Sequence, residues 1–272
     1  MSVRDYFEAR GNDGSWARLY EGEPDGGTYN FHTRRRTVAQ LLKSEAGFAR
    51  ILDVGCGTGD YAALAADHGG RYFGIDFAGA MVREGRARTS RAGLAAHFAV
   101  GAGQSLPFEE DAFDLVLGMG YIAYFEDPEP ALSEIRRVLK PGGVLVLQSR
   151  KSDLFGTIDR GLIHPLQAML GRRPAAPPPA WVSRAYSPRA LDRLLARFGF
   201  ERKERAFDHF HTCPGCLRRR VPRLHIRFSE LLGRNNPAWW RFLAVNYIGK
   251  YVLAAGRKRT RNPSRSCTDP DF

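Results

Sequence analysis

Residues 51–61 read ILDVGCGTGDY, which sets Gly55, Gly57 and Gly59 between two carboxylates, Asp53 and Asp60. A short apolar run that ends in such a turn brings backbone close to a ligand, because glycine has no Cβ to hold it away. A dinucleotide loop wants G-x-G-x-x-G with a pyrophosphate at the following helix N-terminus. Counted from Gly55 the third glycine falls on Asp60, and counted from Gly57 it falls on Ala62, an allowed variant. A triphosphate loop fails, since no Gly-Lys-Ser/Thr follows. The two acids discriminate more sharply, because they oppose a pyrophosphate and favour a cation.

A second stretch, HFHTCPGCLRRR, carries His209, His211, Cys213 and Cys216. The residue types suit tetrahedral zinc. The H-x-H-x-C-x-x-C spacing is unusually tight and falls where a strand should end, so an ordinary Pro-Gly turn is preferred and no metal is assigned. Directly after it, Leu217, Val221, Leu224, Phe228 and Leu231 recur three and four apart among Arg218, Arg219, Arg220, Arg223, Arg227 and Arg234. That spacing predicts a basic amphipathic helix. The favoured reading is a cap helix with its apolar face on an acceptor pocket and a wet outer face. The alternative is peripheral contact with a membrane or an anionic acceptor.

The elements that position these residues alternate. TVAQLLKSEAGF has helical spacing through Val38, Leu41 and Leu42, RILDVGC is the first strand, and DYAALAADHG is a helix closed by glycine. RYFGID, AAHFAVG and FDLVLGMG read as strands two to four. DPEPALSEIRRVLKPGG is a helix stopped by Pro-Gly-Gly, and VLVLQSR is strand five. The expectation is an α/β fold, a Rossmann-like doubly wound, seven-stranded, mostly parallel sheet with helical cap insertions. Ligands then bind beyond the carboxyl ends of the strands.

The predicted organisation is an N-terminal lid over 1–36 and a core over 37–150. A cap insertion over 151–185 precedes a core continuation over 186–210, and a second cap insertion spans 211–245. The last core strand spans 246–257, and a disordered basic tail spans 258–272. In the first cap Leu154, Ile158, Leu162 and Leu166 recur every four residues before a proline-rich stretch. SPRALDRLLARFGF starts a helix with Ser-Pro and stops it at Gly199.

Charge follows the same division. Residues 1–150 carry 17 basic and 20 acidic side chains, whereas 151–272 carry 24 and 9, so the net +12 belongs to the second half. Such a balance favours an acidic partner without choosing among a substrate, a lipid headgroup and nucleic acid. Four cysteines in 272 residues make no disulfide framework. The opening residues have no secretory pattern and no apolar segment reaches the length of a membrane span, so the expected compartment is the cytoplasm.

Taken together, LDVGCGTGD, the acid in GIDFAGAM, VGAGQSLPFEEDAFDLVLG and EIRRVLKPGGVLVL resemble a class I S-adenosylmethionine-dependent methyltransferase over residues 30–150. Within that class they are similar to the small-molecule and quinone C-methyltransferases (methyltransferase type 11), whose first helix YNFHTRRRTVAQLL also resembles. The resemblance implies S-adenosylmethionine as cofactor. Gly55, Gly57, Gly59 and Gly120 would approach it, and Asp53 would order the loop. Asp76 would hold the ribose hydroxyls while Phe77 and Met81 pack on the adenine. The family commonly has an acid after strand three; here Ala102 stands there, leaving Gly103 and Gln104 to meet the adenine. Tyr29 or Arg34 would lie near the donor carboxylate, under a lid that includes Tyr6, Phe7 and Phe31.

A methyl on a sulfonium is already activated, so orientation supplies much of the rate and few catalytic residues are needed. Proton removal, where the acceptor requires it, draws on His32, Tyr121, Tyr124, His164, His209 and His211, of which Tyr121 and Tyr124 are the preferred acceptor-side residues. The leading expectation is methylation of a small, partly apolar metabolite, anionic or lipid-like, such as a natural-product intermediate. A nucleic-acid methyltransferase and a non-catalytic donor-binding scaffold are the alternatives. Neither an appended RNA-binding module nor an Asn-Pro-Pro-Tyr-like pocket follows strand four, and nucleic acid is not the favoured partner.

Overall fold

The apolar runs assemble one sheet. Strands β1 (Arg50–Val54), β2 (Arg71–Asp76), β3 (Ala96–Val100), β4 (Phe113–Gly118) and β5 (Leu139–Arg150) lie parallel. Strands β6 (Phe200–Phe210) and β7 (Ala244–Leu253) complete the order β3-β2-β1-β4-β5-β7-β6, with β7 antiparallel to both neighbours. The computed structural model describes residues 2–21, 28–45, 47–151, 154–169, 184–213, 221–235 and 241–254. The prolines around 174–179, Cys216, Leu217, Arg218, Arg219, Arg220, Cys267 and the tail lie outside them.

Neighbouring side chains in a strand point to opposite faces, and both faces are buried here. Leu52, Phe113 and Leu145 join a core with α5 (Glu129–Val138) and α8 (Pro188–Arg197), represented by Ile135 and Leu191. Ile51, Leu115 and Val146 join a second core with α2 (Tyr29–Leu42) and α3 (Ala62–Asp67), represented by Leu42 and Ala65. Each fully buried Leu, Ile or Val contributes roughly 1.5–3 kcal/mol of burial free energy. Between β1 and β4 the strand order reverses, which opens a crevice at their carboxyl ends.

Three features depart from the pattern. The N-terminal segment forms α1 (Val3–Asn12), started by a capping box in which Ser2 and Asp5 exchange hydrogen bonds at 2.9 and 3.1 Å. It packs on α4 (Gly79–Arg91) so closely that a Cβ at Gly11 would sit 2.8 Å from Ala80. Helix α4 has no side-chain cap of its own. Glu8 of α1 supplies one, accepting from Gly79 N at 2.7 Å and Ala80 N at 2.9 Å. Next, α5 ends at Val138 rather than at Pro-Gly-Gly, and β5 already pairs at Leu139. A register shift between Phe113 and Leu115 absorbs the intervening Lys140–Gly143.

The third departure corrects the cap-helix expectation. Beyond β5 lie α6 (Leu154–Ile158), a π-helical turn (Asp159–Ile163) and α7 (His164–Met169), and between β6 and β7 lies α9 (Pro222–Asn235). The face of α9 turned to the protein is His225, Ser229 and Leu232, whereas Leu224, Phe228 and Leu231 stand in solvent. Phe210 N donates to Ser229 Oγ at 3.1 Å, fixing this rotation from the β6 side. A hydrophobic period alone could not reveal that a narrower stripe of mixed residues would take the core.

Candidate functional site

At the carboxyl edge between β1, β2 and β4 lies a cavity of about 280 Å³. Of the residues singled out from sequence, Gly55, Gly57, Asp76, Phe77, Gly103, Gln104, Gly120, Arg34, Tyr121 and Tyr124 line it. Asp76 is held in its wall by two backbone donors, Gly57 N at 2.9 Å to one oxygen and Ala78 N at 2.9 Å to the other. This clamp ties the glycine turn to the start of α4. Burial pushes the Asp76 carboxyl up from its usual range, and those two N–H groups pull it back.

Close approach explains two glycines. Gly57 has φ +53°, and a Cβ there would lie 2.9 Å from Trp16 Nε1. A Cβ at Gly103 would overlap the hydroxyl of Tyr121, which reaches across the cavity. That Tyr121 hydroxyl is buried with no hydrogen-bond partner, and burial raises its pKa well beyond the neutral range. Burial likewise raises Tyr124. Both phenols therefore hold their protons more firmly than a solvated tyrosine.

Aromatic edges of the N-terminal segment border the cavity. Phe7 meets Trp16 at 5.2 Å, Phe77 at 5.9 Å and Tyr124 at 5.6 Å, each nearly perpendicular. Opposite them stands Arg34, 6% exposed, which donates to Gln148 Oε1 at 3.0 Å and to the Tyr20 hydroxyl. Its Nε has no partner although it is buried. A cationic side chain held this firmly in the wall of a cavity fits a carboxylate or another acceptor group.

The remaining sequence candidates lie elsewhere, each for a packing reason. Asp53 points into the sheet and accepts from the Tyr72 hydroxyl at 2.7 Å; burial, with Asp60 and Asp76 near, pushes it up to about 7 against that hydrogen bond. Gly59 turns toward Phe98 and Thr89. Met81 is buried beneath Phe7 and Ala78. Asp60 neither caps α3 nor meets the cavity, since Thr58 and Arg88 hold it, the latter at 2.8 Å. His32 does not line the cavity. Tyr29 and His209 share a separate recess of about 60 Å³ between α2, β6 and α9, with Asp208 and Ser229. There His209 adopts φ +51° and lies near His211 and His225, with ring centroids 5.1 and 6.5 Å away. Among the described residues no group of His, Cys, Asp or Glu is arranged to hold a metal ion.

Sequence reasoning passed over Val3, Arg4 and Trp16, which line the cavity, and Asp208. Burial pushes Asp208 up to about 6, with Asn246 and Arg34 opposing. The capping box at Ser2 was the available signal for α1 and hence for Val3 and Arg4. Nothing local distinguishes Trp16 or Asp208.

Fold and site together define a doubly wound α/β protein whose ligand cavity sits at the strand-order switch between β1 and β4. Residues 52–147 match the family described as Methyltransferase domain. Among curated relatives, a demethylmenaquinone methyltransferase of Thermus thermophilus is 40% identical over 116 residues, 42% of this chain and 52% of the relative. One from Bacillus subtilis is 33% identical over 135 residues, 47% of this chain and 58% of the relative. The matched part thus spans little more than half of either relative. Among solved structures, magnesium protoporphyrin IX methyltransferase from Synechocystis with bound SAH has a TM-score of 0.63 at 17% identity, covering 93% of this chain and 98% of that one. The [4+2]-cyclase SpnF has 0.56 at 21%, covering 82% and 81%. At such identities the likeness concerns the fold alone, and the cyclase illustrates that one fold hosts several chemistries. Among the described residues no helix is long and apolar enough to cross a membrane.

Proposed function

We propose that this chain transfers a methyl group from S-adenosylmethionine to a small, partly apolar acceptor. The observation that carries the reading is Asp76, a carboxylate fixed in the cavity wall by Gly57 N and Ala78 N. A carboxylate clamped at the end of the second strand is disposed to accept from both hydroxyls of a ribose. Phe77 and the backbone around Gly103 flank the place of an adenine, with Ala102 where an acid is common and the Gln104 amide two residues later. Arg34, a cation in the cavity wall, is disposed to hold the donor's carboxylate. When bound, the donor supplies a methyl already activated by its positive sulfur. Of the buried carboxylates Asp53, Asp60 and Asp76, Asp76 lines the cavity, and its charge complements that of the sulfur.

The chain's own contribution is orientation and exclusion of water, worth up to about 7–11 kcal/mol when the reacting atoms are aligned. Phe7, Trp16 and Tyr124 close the cavity, and the Tyr121 hydroxyl donates to whatever acceptor atom enters beside it. A volume of about 280 Å³ holds one metabolite-sized ligand, so the acceptor enters as the α1 lid moves. The curated relatives are named for demethylmenaquinone, which makes a hydroxylated aromatic ring with an apolar tail the first acceptor class to try.

Calorimetry with adenosylhomocysteine tests the donor half of the reading. Binding is expected for the wild type and loss of it for Asp76→Ala. Transfer of a labelled methyl group to short-chain prenylated naphthols tests the acceptor half. Heat from NADH or ATP and none from adenosylhomocysteine would overturn the proposal.

A further inference from the structure

The carboxyl edge of the sheet concentrates the molecule's exposed apolar surface. Among the described residues eleven large hydrophobic side chains stand exposed, and nine of them, from Leu154 to Phe242, belong to the two caps. The other two are Val100, which ends β3, and Tyr124, which follows β4. Strands β5 and β6 are parallel, so α6, α7 and α9 all leave from this same edge. The opposite edge has no such side chain among the described residues. Scattered exposed leucines need no explanation, but confinement of nearly all of them to one rim does.

Helix α9 has the organisation of an interfacial helix. Leu224 is 60% exposed, and Phe228 and Leu231 are each 53% exposed, while His225, Ser229 and Leu232 face the protein. At 3.6 residues per turn the exposed stripe lies about a quarter-turn around the helix from the buried face. Arg223 and Arg227 are exposed and flank the stripe on its outward side. In the first cap Leu154, Leu162, Leu166 and Met169 are exposed in the same manner, Met169 at 84%.

The charge that accompanies this surface has one sign. Among the described cap residues the acids are Asp159, which is buried, and Glu230, which pairs with Arg36 at 3.7 Å. Leu154 and Phe242 line an open groove together with Lys151, Arg189, Arg205 and Arg241 and no carboxylate. Apolar side chains bracketed by unopposed arginines complement a surface with an apolar interior and an anionic rim. A protein partner would need matching acids around an apolar centre, and nucleic acid gives no role to the leucines and phenylalanine. A second copy of this chain would bring its own arginines against these.

We infer that the two caps dock this protein on an anionic phospholipid bilayer, with α9 lying in the headgroup region and the carboxyl edge turned toward the lipid. The docking goes beyond the methyl-transfer reading and stands on the cap surface alone. It would place the mouth of the cavity where a lipid-soluble acceptor could be drawn from the membrane.

The test is sedimentation of the full chain with vesicles of phosphatidylcholine containing about 30 mol% phosphatidylglycerol. Binding is expected to the mixed vesicles, to weaken as salt rises, and to be marginal on phosphatidylcholine alone. The double variant Leu224→Ser/Phe228→Ser should partition at least about tenfold less. Arg223→Gln/Arg227→Gln should flatten the salt dependence. Unchanged circular dichroism and unchanged adenosylhomocysteine affinity would show these variants folded, since none of the four residues lines the cavity. Three results would overturn the proposal: wild-type protein left in the supernatant, variants that sediment as the wild type does, or a wild-type dimer that the serine variant dissolves without any vesicle binding. Loss of donor binding by a separate cavity variant with vesicle binding intact would bear on methyl transfer and leave the docking untouched.

Discussion

The donor half of the sheet edge and the cap half solve opposite problems. Around β1, β2 and β4 three carboxylates are buried close together, and protein groups engage each one: Tyr72 on Asp53, Thr58 and Arg88 on Asp60, and two backbone N–H groups on Asp76. Beyond β5 and β6 the described cap residues carry mainly basic charge, and Arg223 and Arg227 stand in solvent beside apolar side chains that nothing described covers. The first arrangement stores negative charge at a cost in stability and holds a rigid cavity. The second leaves a surface whose stabilisation comes only on contact with something else. On the proposed reading, the cavity stays fixed while the surface beyond β5 and β6 is left to meet a partner.

The contrast can be broken first at Asp53. A carboxyl raised to about 7 in the folded chain, against about 3.9 unfolded, contributes stability that is fully present below the unfolded value and is lost as pH climbs toward 7. The loss is on the order of 4 kcal/mol. Asp53→Asn keeps an acceptor for Tyr72 and cannot ionise, so its Tm should stay flatter than the wild type's between pH 4 and 8. Parallel Tm–pH curves would show that Asp53 carries no such penalty.

Next in size is Asp76→Ala, which removes the acceptor for Gly57 N and Ala78 N and the proposed ribose contact. Adenosylhomocysteine affinity should fall by about a hundredfold, close to 3 kcal/mol. An affinity within about threefold of wild type would place the ribose elsewhere.

A smaller effect is expected at the lid hinge. Glu8→Ala uncaps α4 and frees α1, which should cost about 1–2 kcal/mol and speed hydrogen exchange through 3–12. Unaltered exchange would mean that aromatic packing alone holds the lid.

The smallest effect sharpens the contrast within one helix. Leu224→Ser on the exposed stripe should change stability by less than about 0.5 kcal/mol. Leu232→Ala on the buried face, 7% exposed, should cost about 2–5 kcal/mol. Equal losses in denaturant unfolding would show that the stripe is covered in solution.

The sequence by itself determined the strand–helix alternation of the core, the glycine turn at residues 55–59, the acid at Asp76 and the division of charge at residue 150. Each depends on short-range pattern: a period, a cap, a turn, or a count of charges. Tertiary structure alone decided which of those residues share a cavity. Asp53 and Asp76 both end apolar strand runs, yet one faces Tyr72 and the other faces the cavity, because a strand's neighbours and not its own residues set what lies above each side chain. Tyr29 and Arg34 sit five residues apart on one helix and line different recesses, and Trp16 reaches Gly57 across 41 positions of chain. The rotation of α9 had the same origin. Its leucines obey a helical period either way, and only the hydrogen bond from Phe210 to Ser229 and the packing of Leu232 fixed which face would meet water.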